Sequence, residues 1–151
     1  MKIAVVILNW NGKKLLEQFL SSVIKHSKEA NVYVADNAST DDSIEFIKEF
    51  YPSVKIVENA VNGGYAKGYN DALQQIDADV FCLLNNDVEV SNNWLSPIIK
   101  CFKENSKTAI IQPKILEVYL IIYSFPLQMY NTEKDQRIDS SVTIVTILFS
   151  K

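Results

Sequence analysis

Val80 to Leu84 is an unbroken apolar run, Val-Phe-Cys-Leu-Leu, and it stops at Asn85-Asn86-Asp87. A strand with one wet face alternates apolar and polar residues, whereas a strand covered on both faces reads as a continuous apolar run. The run therefore predicts a central strand of a parallel sheet, with helices packed on both sides. Ligands of open α/β sheets bind outside the carboxyl ends of the strands, which is where Asn85, Asn86 and Asp87 fall. A carboxylate there can hold Mg2+ or Mn2+ against a phosphate, because hard cations take oxygen ligands and often keep only one or two protein carboxylates. Asn and Asp are also common turn residues, so this run alone leaves a turn and a ligand edge as equal readings.

The rest of the chain repeats the pattern. Ile3–Asn9 reads as a strand, Asn11-Gly12 as a turn, and 13–26 as a helix with Leu15, Leu16, Phe19, Leu20, Val23 and Ile24 on one stripe. A second strand, 32–35, ends at Asp36-Asn37. Ser39-Thr40-Asp41-Asp42 resembles a capping box for a helix carrying Ile44, Ile47 and Phe50 inward and stopping near Pro52. Strand 54–58, loop 59–64, a helix with Tyr65, Tyr69, Ala72, Leu73 and Ile76 on one side, and strand 80–84 follow. Trp94, Leu95, Ile98, Ile99 and Phe102 mark another helix, with Ser91 or Ser96 as its cap and Pro97 at its first position. A short strand over 108–111 closes the series.

Strand–helix alternation brings every strand-to-helix loop to one edge of the sheet. That edge collects Asn9, Asn11, Asp36, Asn37, Asn62, Gly63, Gly64, Asn85, Asn86 and Asp87. The opposite connections are polar too, but the glycines and paired amides gather on one edge. Gly63-Gly64-Tyr65-Ala66-Lys67-Gly68 lacks the spacing of the dinucleotide fingerprint, and Gly12-Lys13-Lys14 lacks that of a P-loop. The first nonetheless suits close backbone approach to a ligand beside a helix start. Asp36 has two readings, a cap for the next helix or an acceptor for a base N–H or ribose hydroxyl. Trp10 fits a pocket wall.

Composition removes other classes. A net charge of −3 leaves no basic footprint for nucleic acid. Arg137 is the only arginine, so a phosphate at this edge would rely on lysine, backbone N–H groups or metal. His26 is the only histidine, which excludes a multi-histidine metal site; it suits the C-terminal end of a helix. Cys82 and Cys101 match no zinc or disulfide framework. The apolar start, 3–8, is too short for a signal peptide and reads as a strand. No stretch offers the ~20 apolar residues of a spanning helix; 115–130 comes nearest and is interrupted by Glu117, Pro126 and Gln128.

Four motifs now stand in order: Val-Val-Ile-Leu-Asn-Trp-Asn-Gly (5–12), Val-Ala-Asp-Asn-Ala-Ser-Thr-Asp-Asp-Ser (34–43), Asn-Gly-Gly-Tyr-Ala-Lys-Gly-Tyr-Asn (62–70) and Leu-Leu-Asn-Asn-Asp-Val (83–88). Together they resemble family 2 glycosyltransferases, especially the rhamnosyltransferase-like branch, over about residues 1–116. The resemblance implies a GT-A fold, a Rossmann-like, mostly parallel nucleotide-binding sheet with helices on both faces. It implies transfer, with inversion, from a UDP- or dTDP-linked sugar to a glycan or lipid-linked acceptor, as in polysaccharide biosynthesis. It also implies a Mn2+ or Mg2+ cofactor and a cytoplasmic place, the inner face of the membrane included. By resemblance Asn9 and Asn11 line the nucleoside pocket, Asp36 contacts the base, and Asn62, Gly63 and Gly64 form the loop beside the nucleoside. Asn85, Asn86 and Asp87 fall on the DxD motif, with Asp87 as metal ligand.

Two departures shape the expectation. Asn85 stands where DxD has its first acid. The stretch from Glu117 onward matches nothing in the acceptor half of the family and contains no glycine, with apolar stretches 118–127 and 142–149 around a polar 131–141. Residues 117–151 are thus expected to be an atypical tail, truncated or frame-disrupted. Glu133, Asp135 and Asp139 sit in no matching motif, and the catalytic base is unknown. The competing readings are an inactive nucleotide-binding fragment or pseudoenzyme, a nucleotidyltransferase, and a phosphorylatable receiver domain.

Overall fold

The computed structural model describes residues 1–105, 108–112, 128–131 and 147–148. The elements in chain order are β1 (Ile3–Asn9), α1 (Lys13–His26), β2 (Asn31–Asp36), α2 (Ser43–Phe50), β3 (Lys55–Glu58), α3 (Gly64–Leu73), β4 (Val80–Asn85), α4 (Leu95–Glu104), β5 (Thr108–Gln112), β6 (Gln128–Asn131) and β7 (Ile147–Leu148). They build one sheet in the order β3-β2-β1-β4-β7-β5-β6. β1 pairs in parallel with β2 and β4, and β2 with β3. β7 is antiparallel to both β4 and β5, so β5 runs in the direction of β4. β6 is antiparallel to β5. The expected mostly parallel α/β sheet is present.

The continuous apolar runs of β1 and β4 follow from burial on both faces. Val5, Ile7, Cys82 and Leu84 point to one side and pack with Leu16, Leu20 and Val23 of α1, Ile47 of α2 and Ile98 of α4. Ala4, Val6, Phe81 and Leu83 point to the other side and pack with Tyr69 and Ala72 of α3, and with Ile76. Ala4, Ala35 and Ala72 keep that second layer thin, bringing α3 close to the sheet.

Two local expectations are corrected. The box over 39–42 is not closed by Ser39: Asp42 holds the N-cap position of α2 without a side-chain cap bond, and the Ser43 N–H is taken by Asp41 Oδ1 at 3.2 Å. The Ser39 hydroxyl instead donates to Asp36 Oδ1 at 2.5 Å. Neither Ser91 nor Ser96 is the α4 cap; Trp94 holds that position, and Pro97 is the third helical residue. Pro97 is tolerated there because first-turn N–H groups have no partner inside the helix. In the sheet, β7 lies between β4 and β5. A two-residue strand has no periodicity to read.

The expected boundary at Glu117, Glu133, Asp135, Asp139 and most of both apolar tail stretches lie outside the described residues. Among the described residues no helix is long and apolar enough to cross a membrane.

Candidate active site

The parallel strands β1 to β4 end on one edge at Asn9, Asp36, Glu58 and Asn85. A crevice of about 470 Å³ opens there, lined by Leu8, Trp10, Asn37, Asn62, Gly64, Tyr65, Asn85, Asn86 and Asp87. A larger cavity, about 570 Å³, lies at the opposite edge among Met1, Ile3, Glu29, Ser96, Lys100 and Glu104. We favour the first, because ligands of open α/β sheets enter at the carboxyl ends of the strands and the larger one faces their beginnings.

Beneath the crevice lies a buried polar floor. Asn9 is 0% exposed; its Nδ2 donates to Asp36 Oδ1 at 3.1 Å and to Ser39 Oγ at 3.3 Å. Its Oδ1 accepts from Asn86 Nδ2 at 3.2 Å. Asp36 is 2% exposed, and its Oδ2 accepts the Ser39 N–H at 2.8 Å. Asp36 does not cap the next helix, whose N-cap is Asp42; its carboxylate instead closes the turn after β2 onto Ser39. Asn11, with φ of 49°, accepts the Thr40 N–H at 2.7 Å and the Asp41 N–H at 3.3 Å on its Oδ1. Asn11 thereby stitches the β1–α1 loop to the β2–α2 loop.

A second group holds the glycine loop. Asn37, 3% exposed, donates from Nδ2 to Asn62 Oδ1 at 2.8 Å and to the Gly64 carbonyl at 3.2 Å. Its Oδ1 accepts from Asn59 Nδ2 at 3.2 Å and from the Gly63 N–H at 3.4 Å. Asn59 Nδ2 also donates to the Gly68 carbonyl at 2.9 Å. Gly64 sits at φ 76°, a conformation that glycine adopts at no steric cost, and begins α3 facing the crevice. The Tyr69 hydroxyl donates to the Leu84 carbonyl at 2.7 Å and lies 3.4 Å from the Leu8 N–H, so α3 is tied to the ends of both β1 and β4. Burial pushes the Tyr69 hydroxyl far above the usual tyrosine range, which keeps its proton in place to donate.

The upper tier faces solvent. Trp10 is 56% and Tyr65 48% exposed, and the Tyr65 ring meets Tyr69 edge-on with centroids 5.0 Å apart. Asp87 is exposed, and its carboxylate has no hydrogen bond or ion pair with any described residue. Asn62, Gly64, Asn85, Asn86 and Asp87 thus meet in one crevice, while Asn9, Asn11, Asp36 and Gly63 lie below or beside it. Among the described residues no group of three acids, histidines or cysteines is placed to hold a metal.

Asn59 and Tyr69 are site-building residues that the sequence alone did not single out, and Asn37, placed on this edge by the sequence, had no role assigned. Asn37 had a signal, since it follows Asp36 at a strand end. The Tyr69 hydroxyl had none, because Tyr69 sits on an ordinary helical stripe.

The sequence pattern of Glycosyl transferase family 2 matches residues 4–142. The chain is 26% identical over 112 residues to the poly(ribitol-phosphate) beta-glucosyltransferase of Bacillus spizizenii, covering 70% of this chain and 18% of that protein. Among solved structures, S. aureus TarS 1–349 superposes with a TM-score of 0.68 at 23% identity, over 83% of this chain and 38% of that one. The same protein in complex with UDP-GlcNAc gives 0.65. The mannosyltransferase PcManGT from Pyrobaculum calidifontis, in complex with GDP-Man and Mn2+, gives 0.63 at 20% identity, over 72% of this chain and 34% of that one. These structures share the fold. The chain spans less than two fifths of the length of each of these proteins.

Proposed function

The chain belongs to glycosyl transferase family 2, and from that premise we propose that its crevice binds the nucleoside diphosphate of a UDP- or dTDP-linked sugar donor. The observation that carries the reading is Asp87, an exposed carboxylate without a described partner at the carboxyl end of a central strand. TarS in complex with UDP-GlcNAc and PcManGT in complex with GDP-Man and Mn2+, which share this fold, support it.

In this reading the nucleoside lies between Trp10, Asn62, Gly64 and Tyr65. The two half-exposed rings offer apolar faces to a planar base or a sugar. Asn9, Asn11, Asp36 and Gly63 shape the pocket, Asn85 flanks the diphosphate, and Asn86 lies beside it, bonded to Asn9. Asp87 would hold Mn2+ or Mg2+. A single carboxylate fits that task, since Mg2+ keeps several waters and completes its shell with substrate phosphates. When bound, the ion offsets the charge gathering on the departing diphosphate.

Residues 1–116 form the donor half in this reading, and no described acid is assigned as the base that takes the acceptor proton. Transfer, with inversion, to a glycan or lipid-linked acceptor in polysaccharide biosynthesis is the reaction proposed for the whole protein.

Calorimetry with UDP, dTDP and GDP, each with Mn2+ and with chelator, tests the reading. Uridine or thymidine diphosphate is expected to bind, and to bind more tightly with metal. Absence of binding by all three nucleotides, with and without metal, would overturn it.

A further inference from the structure

The backbone ladder between β1 and β4 ends at the pair Leu8–Asn85. One residue further on, a side-chain pair takes over: Asn86 Nδ2 donates to Asn9 Oδ1 at 3.2 Å. Asn9 is fully buried, and both its amide hydrogens go to the other neighbour of β1, to Asp36 Oδ1 and to Ser39 Oγ of the β2–α2 loop. Its hydrogen-bonding capacity is therefore committed within the protein, apart from one lone pair on Oδ1. Gly12 closes the arrangement from the α1 side. A Cβ built at Gly12 would collide with both Asn86 Nδ2 and Asn9 Oδ1, although the Gly12 backbone, at φ −110°, would accept any residue. Gly12 is there to leave room for the amide pair, not to make a turn.

We infer that Asn9, Asn86 and Gly12 form a lock that fixes the 85–87 turn and so aims the Asp87 carboxylate into the crevice. Asn9 and Asn86 are then positioning residues and not nucleotide contacts, and the relay Asn86–Asn9–Asp36–Ser39 couples the diphosphate side of the crevice to the nucleoside side. The inference rests on the donor-binding reading above for its consequence, though not for its geometry. Groups that orient a metal ligand commonly change metal affinity without touching the metal.

The test uses the full chain and the variants Asn86→Ala, Asn9→Ala, their double variant and Gly12→Ala. Circular dichroism checks that each is folded. UDP affinity is measured with Mn2+ and with chelator, and amide exchange is followed at 85–88. A lock predicts that Asn86→Ala weakens Mn2+-dependent UDP binding by roughly tenfold or more, weakens metal-free binding far less, and speeds exchange at 85–88. The Asn9 and Asn86 effects are expected to be non-additive, as for residues that act as a pair. Gly12→Ala is expected to reproduce Asn86→Ala. Equal losses with and without metal would make the two asparagines ligand contacts and overturn the inference, as would additive losses. If the wild-type chain binds no UDP, the donor-binding reading fails, and exchange at 85–88 still decides the lock: unchanged exchange in Asn86→Ala refutes it.

Discussion

Asp41→Ala removes an acceptor shared by the first N–H groups of two helices. Asp41 Oδ2 accepts from the Lys13 N–H of α1 at 3.1 Å, and Oδ1 accepts from the Ser43 N–H of α2 at 3.2 Å as well as from the Ser43 hydroxyl. Loss of an N-terminal cap costs about 1 kcal/mol, so two caps place the loss at about 2 kcal/mol. In a domain of this size that lowers Tm by roughly 4–8 °C. Asp41→Asn keeps one acceptor oxygen and removes the charge, and should cost about half as much. Burial raises the Asp41 pKa, but the hydrogen bonds from the Ser43 hydroxyl, the Lys13 N–H and the Ser43 N–H outweigh it, so the carboxyl sits below its ordinary value of 3.8. A depressed folded-state pKa stabilises the fold fully above the unfolded-state value of about 3.9. That contribution disappears as pH falls through the folded-state value. Urea denaturation of wild type and Asp41→Asn from neutral to acid pH reads the difference directly. The gap between them should be constant down to about pH 4 and close below it. A gap that persists or widens in acid would refute the reasoning.

Two further substitutions probe the layer under the crevice. Tyr69→Phe keeps the buried ring and deletes only the hydroxyl that binds the Leu84 carbonyl, so it should cost about 1–2 kcal/mol in urea denaturation with an unchanged m value. A cost within error of zero would mean that water replaces the hydroxyl. Gly68→Ala should destabilise even though Ala is favoured in helices by about 1 kcal/mol. Its Cβ would come within 2.9 Å of Asn37 Oδ1, an amide already held by Asn59, Asn62, Gly63 and Gly64. A stabilised Gly68→Ala protein would show that Asn37 yields freely and does not fix the loop.

The parts of the fold that were legible are those governed by burial. Residues 3–8 and 80–84 are apolar throughout because helices cover both faces, and that pattern together with strand–helix alternation places Asn9, Asp36 and Asn85 on one edge. The order of residues along the chain says less about which polar groups on that edge face inward. Asn9, Asn86 and Asp87 are similar in composition, yet Asn9 is sealed into the floor and Asp87 stands in solvent. Asp41 was read as part of a local box, whereas its Oδ2 partner is Lys13, 28 residues earlier. Gly68 was read with the glycine loop, and it lies inside α3, pressed on Asn37. Such long-range polar pairings leave no periodic trace, because they depend on which loops become neighbours after the sheet has formed.

The most direct test of donor binding at the strand ends is an amide NMR titration of the chain with UDP and a trace of Mn2+, repeated with Asp87→Ala. Paramagnetic broadening should centre on Asp87 and spread to Asn62, Gly64 and Tyr65, and Asp87→Ala should abolish it. Broadening centred on Glu29 and Glu104 at the opposite edge, or broadening that survives in Asp87→Ala, would contradict the account.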